Sequence, residues 1–475
     1  MGADICGVRR DVQVVFRIIA LVKIRCAIYE FAMRHPHLIK RRTFLQQLAA
    51  GLAVAPFVTT GLRAQSPNGK IHHATFGANG MAMSDLTNIS KHPAVEIVAA
   101  ADVDLNRAAQ FRKMFPNARV YQDFRELLEK ERDLQTVNVS TPDHMHARIG
   151  IAALNRGLNV YGQKPLTHDL AETRRITELA RAKKAVTQMG IQIHSNKEYR
   201  TAVKLVQDGA IGKVREVHTW SSKTWGDLGT EPQRTDPIPE GFNWDLWLGV
   251  CPERRFIGQG WYHPANWRKR LDFGTGTFGD MGCHIYDPVF NALALTAPLS
   301  VRSEGAAPND HSWATNALCR YVFPGTPYTA GETVEVTWYD GVQRPPADIQ
   351  ALALDGTPGN DKLPDQGSIF RGTHGVMVLP HVGMPKLLGE AKGHPIAEVE
   401  GANHWHQFID AARGQGKTSA NFDYAGPLTE AVLLGSVASR FPNQTLAWNA
   451  AALKFTNVAE ANQYVRRAYR HGWEI

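Results

Sequence analysis

The sequence predicts an α/β protein whose first large unit is a doubly wound parallel sheet. Three observations carry that prediction. Short apolar runs alternate with helix-like segments from Ile71 to Pro165. A glycine turn, Gly77-Ala78-Asn79-Gly80, follows the first run, and an acid, Asp102, closes the second. Strand and helix alternating at this spacing build parallel sheets covered on both faces.

Ile71 to Phe76 reads as the first strand. Glycines in the turn after a first strand let backbone N–H groups approach a pyrophosphate at a helix N-terminus. Gly77 fits the first position of that fingerprint, Asn79 stands at the second and Ala82 serves as the third, with Gly80 and Met81 opening the helix. Asparagine tolerates left-handed backbone geometry, so the turn is expected to survive; a plain turn is the alternative. Val95 to Asp102 is a buried strand ending about 20 residues beyond the turn, where a carboxylate takes ribose hydroxyls. A carboxylate there repels a 2′-phosphate, which favours NAD over NADP.

Further along come a helix near Asn106–Met114, a short strand at Val120 and a helix over Arg125–Lys130. The strand Thr136–Ser140 opens onto Thr141-Pro142-Asp143-His144-Met145-His146. A helix through Ala147–Arg156 feeds the strand Leu158–Tyr161 and then Gly162-Gln163-Lys164-Pro165. Ligands of such sheets bind at strand carboxyl ends, where Gly77, Asp102, Thr141 and Lys164 all fall.

The second half is predicted to hold a helix over Tyr199–Gln207 and an alternating strand, Val214–Trp220. Val334–Tyr339 alternates likewise and runs into Asp340-Gly341, a hairpin signal. Residues 341–366 read as a long surface loop. Leu428–Arg440 is expected to be helical, and Tyr464–Arg470 to close the chain as an amphipathic segment. Between these, Gly276-Thr277-Phe278-Gly279-Asp280-Met281-Gly282-Cys283-His284 places a carboxylate and an imidazole four residues apart, on one helix face. An imidazole titrates near neutrality and can accept a proton from an alcohol. The alternative is a helix cap at Asp280 and a satisfied core histidine.

At 475 residues the chain is long enough for two domains. Its net charge of +8 suggests nucleic acid until it is located. Ten Lys/Arg against three acids lie within residues 1–64, leaving the body nearly neutral and without a basic footprint. Lys40-Arg41-Arg42-Thr43-Phe44-Leu45 precedes an apolar stretch from Leu48 to Leu62, followed by Leu62-Arg63-Ala64. That pattern resembles a twin-arginine export signal, so a periplasmic location without a stable membrane anchor is expected. About forty residues precede the arginines, which makes Met33 an alternative start to Met1. Beyond the segment, Cys251, Cys283 and Cys319 form neither a disulfide framework nor a metal spacing. His144, His146 and His194 lack the carboxylate or cysteine completion of a metal site, and no metal is expected.

With Gly77, Asp102, Thr141 and Lys164 aligned at strand ends, residues 70–475 resemble the Gfo/Idh/MocA family of nicotinamide-dependent sugar and cyclitol oxidoreductases. The family's Glu-Lys-Pro motif stands here as Gln163-Lys164-Pro165, and its Asp-x-x-x-His as Asp280 and His284, with Asp287 one turn on. Thr141 and Pro142 match its nicotinamide-side segment, and Trp267-Arg268 matches a pair that reaches the cofactor in members close to glucose–fructose oxidoreductase. The resemblance implies residues 1–64 as extension and signal, 70–190 as a Rossmann domain, and 191–475 as a substrate and dimerisation domain. That last domain would be built on a large open, mostly antiparallel sheet, one face of which covers the nicotinamide or mediates the contact of a dimer or tetramer. Gln163 departs from the motif by removing a charge beside Lys164.

The implied chemistry is oxidation of a secondary hydroxyl on a sugar, sugar derivative or cyclitol. His284 would be the base. Lys164 would steady the alkoxide, while Asp280 would bind a neighbouring hydroxyl or orient His284. His144 and His146 would be pocket groups or ribose contacts; Trp220, Trp225, Trp261 and Tyr262 would either stack on a sugar or pack the core. Export as a folded protein suits a cofactor that stays bound and is recycled. Two other readings stand beside this one: glycoside hydrolysis through transient oxidation and elimination, and a non-catalytic nucleotide sensor.

Overall fold

The computed structural model describes residues 69–354, 356 and 361–475. The export-type segment, both candidate start methionines, Cys6 and Cys26 lie outside the described residues.

Strands β1 (Ile71–Phe76), β2 (Val95–Ala101), β3 (Arg119–Tyr121), β4 (Thr136–Val139), β5 (Asn159–Gly162) and β6 (Thr187–Met189) form a six-stranded sheet in the order β3-β2-β1-β4-β5-β6. Every pairing in it is parallel. The order reverses direction at β1 and β4, and a crevice opens there at the strand carboxyl ends. Helices α1 (Met81–Ile89), α2 (Ala109–Met114), α3 (Phe124–Lys130), α4 (Asp143–Asn155) and α5 (Leu170–Lys183) connect the strands. α5 begins with a full capping box, Asp169 accepting from Glu172 N–H while Glu172 accepts from Asp169 N–H.

α6 (Lys197–Gln207) leads to β7 (Val214–Ser221), and α7 (Trp244–Leu248) precedes the long α8 (Gly276–Leu293). Then follow β8 (Ser300–Ser303), β9 (Leu318–Pro324), β10 (Thr333–Asp340), α9 (Ala347–Ala353), β11 (Gln366–Gly372), β12 (Val376–Pro380) and β13 (Lys386–Leu388). α10 (His404–Ala412), α11 (Phe422–Ala438), β14 (Thr445–Asn449) and β15 (Lys454–Phe455) complete the chain. The second sheet has nine strands in the order β13-β12-β11-β7-β10-β9-β8-β14-β15. Its pairings are antiparallel apart from β7 with β10. The chain is thus a doubly wound Rossmann sheet followed by a mostly antiparallel, mixed sheet.

One apolar core runs through both sheets. The inner face of the second sheet rests on α8, where Phe278 stacks on Trp338 at 4.8 Å between ring centroids. That packing fixes which way the α8 face carrying Asp280 turns.

Two expectations need correction. Asp340-Gly341 closes no hairpin: the antiparallel partner of β10 is β9, which precedes it, and the chain after Gly341 enters α9. Residues 341–366 therefore hold a helix, whose Ile349 and Ala353 pack on Trp220 and Tyr339 of the outer sheet face. Tyr464–Arg470 follows a short 3₁₀ turn that ends at Tyr464. There the backbone bonds outward, with Ala171 N–H donating to Val465 O and Arg467 N–H to Asp169.

Candidate active site

At the carboxyl ends of β1, β2, β4 and β5 lies a cleft of about 1370 Å³. Its walls include Gly77, Asn79, Gly80, Met81, Asp102, Thr141, Pro142, His144, His146, Gln163, Lys164, Trp267 and Arg268. All thirteen residues expected to hold the cofactor therefore border one space.

The turn after β1 is built as an anion cradle. Gly77 and Gly80 have positive φ, 100° and 56°, whereas Asn79 does not adopt the left-handed geometry expected of it. Its side chain works instead: Oδ1 accepts from Gly80 N–H and from Arg107, and Nδ2 donates to the Arg107 carbonyl. A Cβ on Gly77 would stand 2.7 Å from Ser140 O, so only glycine lets β1 and β4 close around the crevice. Asp102 accepts from the N–H groups of Ala78 and Asp104 at 2.8 and 2.9 Å, and burial pushes its carboxyl pKa up. The α1 N-terminus carries no side-chain cap, leaving the helix end open toward the cleft. A glycine-opened turn braced by Asn79, an uncapped helix start and a carboxylate at the strand end fit a dinucleotide.

Of the two roles expected for the histidines after β4, their contacts fit that of pocket groups. His146 has Nδ1 2.7 Å from Pro165 O and Nε2 2.8 Å from Thr141 O. Both nitrogens are taken by the backbone, so the ring braces the β4 and β5 loops against each other and has none free for ribose. His144 is buried, with Nε2 2.9 Å from Trp247 O, and burial lowers its pKa to about 3. Asp143 accepts from the Thr275 N–H and hydroxyl, which pins the start of α8 to the cleft. Gly279 makes room for that contact, since a Cβ there would collide with the Thr275 side chain.

α8 then delivers Asp280 to Lys164. Lys164 Nζ donates to Asp280 Oδ1 at 2.7 Å and to its carbonyl at 2.6 Å. Arg268 Nε donates to the same Oδ1 at 3.0 Å; Trp225 Nε1 and Lys223 Nζ reach Oδ2 at 2.9 and 3.4 Å. Burial alone would raise the Asp280 pKa, but Lys164, Arg268 and Lys223 outweigh it and hold the carboxyl well below the ordinary range. Asp280 is therefore a fixed carboxylate. It makes no hydrogen bond to His284, so it does not orient that ring, and it is no helix cap, because Thr275 occupies that position.

Among the described residues the buried His284 Nδ1 has no hydrogen-bond partner, and the ring lies 5.9 Å from that of His381. Burial, then Lys164 and His381, push its pKa well below the ordinary histidine value. The ring is neutral at physiological pH, the form that accepts a proton. His381 itself, on the turn after β12, holds Tyr199 OH at 2.8 Å through Nδ1.

Sequence reasoning missed Lys223, His381 and the hydrogen bond from Trp225; no local spacing marks the first two. Of the aromatic residues weighed as sugar platforms, Trp225 alone among the four borders the cleft. Trp220 is fully buried under α9, Tyr262 is in the core, and Trp261 lies under the Arg270 guanidinium at 3.3 Å. His194 pairs with Asp287 at 2.8 Å, and Tyr424 OH donates to the same carboxylate; this group stands apart from His144 and His146.

Comparison with known proteins agrees with this construction. Residues 71–191 match the family model described as oxidoreductase family, NAD-binding Rossmann fold, and residues 195–334 match that of the family's C-terminal alpha/beta domain. Levoglucosan dehydrogenase of Pseudarthrobacter phenanthrenivorans is 23% identical over 220 residues, 46% of this chain and 47% of that protein. Inositol 2-dehydrogenase of Salmonella typhimurium is 30% identical over 126 residues, 26% of this chain and 37% of that protein. The matched stretches thus span less than half of either relative. The fold is shared with the WlbA dehydrogenase from Bordetella pertussis, solved with NADH and UDP-GlcNAcA (TM-score 0.58, 14% identity, 80% of this chain and 99% of that one). It is shared also with aldose-aldose oxidoreductase from Caulobacter crescentus (TM-score 0.53, 14% identity, 80% and 100%). Both family domains in their order, on a Rossmann sheet followed by a mixed sheet, make this chain a member of the Gfo/Idh/MocA oxidoreductase family.

Proposed function

We propose that this chain is an NAD-dependent oxidoreductase acting on a secondary hydroxyl of a sugar, sugar derivative or cyclitol, and that it keeps its cofactor bound between turnovers. The observation that carries the reading is the Lys164–Asp280 pair beside a neutral His284 at the end of the nucleotide cleft. The named relatives, a levoglucosan and an inositol dehydrogenase, support the substrate class.

When bound, NAD supplies a hydride acceptor. The chain's own groups do the rest. His284 takes the hydroxyl proton as the carbon gives up its hydride, so the alcohol becomes a ketone. Lys164, a donor held by Asp280, stabilises the oxygen as it gains negative charge. Asp280 stays ionised throughout and holds Lys164, Arg268, Trp225 and Lys223 in place around the reacting hydroxyl. Asp102 supports NAD over NADP, since a 2′-phosphate beside it would be repelled.

Retention of the cofactor is supported by a strap from the second half. Leu105 N–H donates to Gly241 O, Asn243 N–H to Val103 O, Asn106 to Glu240 O, and Gln122 to Gly241 O. His263 Nε2 lies 3.1 Å from Asp104. The strap crosses the chain just after Asp102, and Trp473 from the C-terminal tail joins the cleft wall. Export through a twin-arginine-type signal would make retention necessary. Among the described residues no helix is long and apolar enough to cross a membrane. Assembly into a dimer or tetramer through the outer face of the second sheet is part of the same reading, with Glu216, Arg371, Arg320 and Glu335 lining that face.

The test is to release and identify nucleotide from the purified protein, then screen sugars and cyclitols for appearance of the NADH absorbance band. Lys164→Ala and His284→Ala variants should keep NAD and lose the change. A wild type whose bound nucleotide stays in one redox state with every sugar would favour the sensor, and rapid exchange with solvent NAD would remove the captive cofactor.

A further inference from the structure

Beneath the cleft lies a carboxyl group that the proposed chemistry does not use. Asp85, on α1, has no exposed surface. Gln163 Nε2 donates to its Oδ2 at 2.9 Å, Ser140 Oγ to the same oxygen at 2.8 Å, and Trp405 Nε1 to Oδ1 at 3.0 Å. Gln192 and Tyr161 complete its surroundings, and among the described residues no cation pairs with it.

Each of the three donors comes from a different place that matters. Ser140 immediately precedes Thr141 at the end of β4, Gln163 immediately precedes Lys164 at the end of β5, and Trp405 belongs to α10 of the second half. One buried carboxylate thus ties the first cleft helix to both strand ends that carry the cleft floor. A buried charge without a counter-ion is costly and persists only when neutral donors satisfy it. Gln163 is the donor that only an amide supplies: a glutamate there would set two carboxylates about 3 Å apart, and such a pair cannot be doubly ionised. Gly190 also lies against the Gln163 amide, where a Cβ would come within 2.5 Å of Nε2. The amide therefore has little freedom to turn away.

We propose that Asp85 is a positioning residue for the Gln163-Lys164 segment, and that glutamine at position 163 is the obligate partner of the acid at position 85. The inference rests on the reading that this segment forms the end of the nucleotide cleft. It also accounts for the departure at position 163 from the Glu-Lys-Pro motif: the acid of this locus sits on α1 and the amide just after β5. Burial, which raises the Asp85 pKa to about 6, makes the arrangement sensitive to any second acid placed beside it.

Four full-length proteins test this: wild type, Gln163→Glu, Asp85→Asn and the double variant Asp85→Asn/Gln163→Glu. NADH affinity, followed by the fluorescence of bound NADH, is read alongside the melting temperature. Gln163→Glu should weaken NADH at least tenfold near pH 8 and recover much of that loss near pH 5, where the acid pair holds a proton. The double variant, with the acid and amide exchanged, should bind within about threefold of wild type and lose that pH dependence. Losses that simply add in the double variant would overturn the proposal. So would a melting temperature restored without NADH affinity, because that pattern belongs to a structural brace. If wild type itself binds no NADH, the reading of the cleft fails instead, and the two failures are distinguishable.

Discussion

Lys164 Nζ stands 2.7 Å from Asp280 Oδ1, with 7% and 6% of the two side chains exposed. The pair joins the loop after β5 of the Rossmann sheet to the helix that underlies the second sheet. It is both an interdomain tie and the charged end of the cleft. Breaking a buried pair leaves an uncompensated charge. Asp280→Ala should therefore lower stability by about 3 kcal/mol, read from denaturant titration, and abolish substrate-dependent NADH formation. Asp280→Asn should keep most of the fold and still lose turnover about 100-fold or more.

The same carboxylate has an acid signature. Its pKa in the fold lies below the ordinary aspartate value, so its contribution to stability is complete above that value. It is lost as pH falls toward the folded value. Stability of the wild type, measured by urea unfolding from neutrality downward, should fall more steeply below about pH 4 than that of Asp280→Asn.

His284 shifts in the same direction for a different reason, burial disfavouring its charged form. Its pKa is depressed by burial and by Lys164 and His381, so the ring remains a base below the pH at which an ordinary histidine charges. The acid limb of the rate of alcohol oxidation should lie below about pH 6.5. Because the unfolded chain takes up a proton that the folded ring refuses, this group also erodes stability as pH drops below that point. His284→Ala should remove that erosion together with turnover, and keep NADH affinity within about threefold of wild type.

What the sequence reveals of this site follows its physical locality. Lys164 is legible because it stands before a proline at a strand end; Asp280 and His284 are legible because helical spacing puts them on one face. Lys223 and His381 enter through loops of the second sheet, and Lys223 lies 57 residues from the carboxylate it reaches. No periodicity connects them. Asp85 looks like a polar residue of an ordinary helix until Gln163, 78 residues on, is found donating to it. The hairpin signal at Asp340-Gly341 fails for the same reason: the turn residues are local, but the partner of β10 is chosen by the whole sheet. Asn79 stands where the fingerprint has glycine, yet it acts through its side chain rather than its backbone.

Gly77 sets the closest approach in the Rossmann half. With φ at 100° and Ser140 O only 2.7 Å from where a Cβ would stand, Gly77→Ala should cost about 2 kcal/mol. The displaced β1 turn should also weaken NADH by tenfold or more, which corresponds to about 1.4 kcal/mol. A Gly209→Ala control, at a positive-φ glycine with open space around it, should lose stability alone and bind NADH normally.

The strap makes a kinetic prediction. His263 stacks on Phe242 with centroids 5.0 Å apart and reaches Asp104, while Trp473 lies 4.7 Å from the Arg125 guanidinium at the cleft wall. Neither belongs to the Lys164–Asp280–His284 group, so cutting them should leave the chemistry intact and open the exit. In a His263→Ala/Trp473→Ala variant, release of bound nucleotide into a buffer that destroys free NAD should quicken about tenfold or more, and turnover should come to depend on added NAD. The rate of a single round of reduction of prebound NAD should be unchanged. Equal release from variant and wild type would mean that the strap does not hold the nucleotide, and retention would then have to come from the Gly77–Asp102 cradle itself.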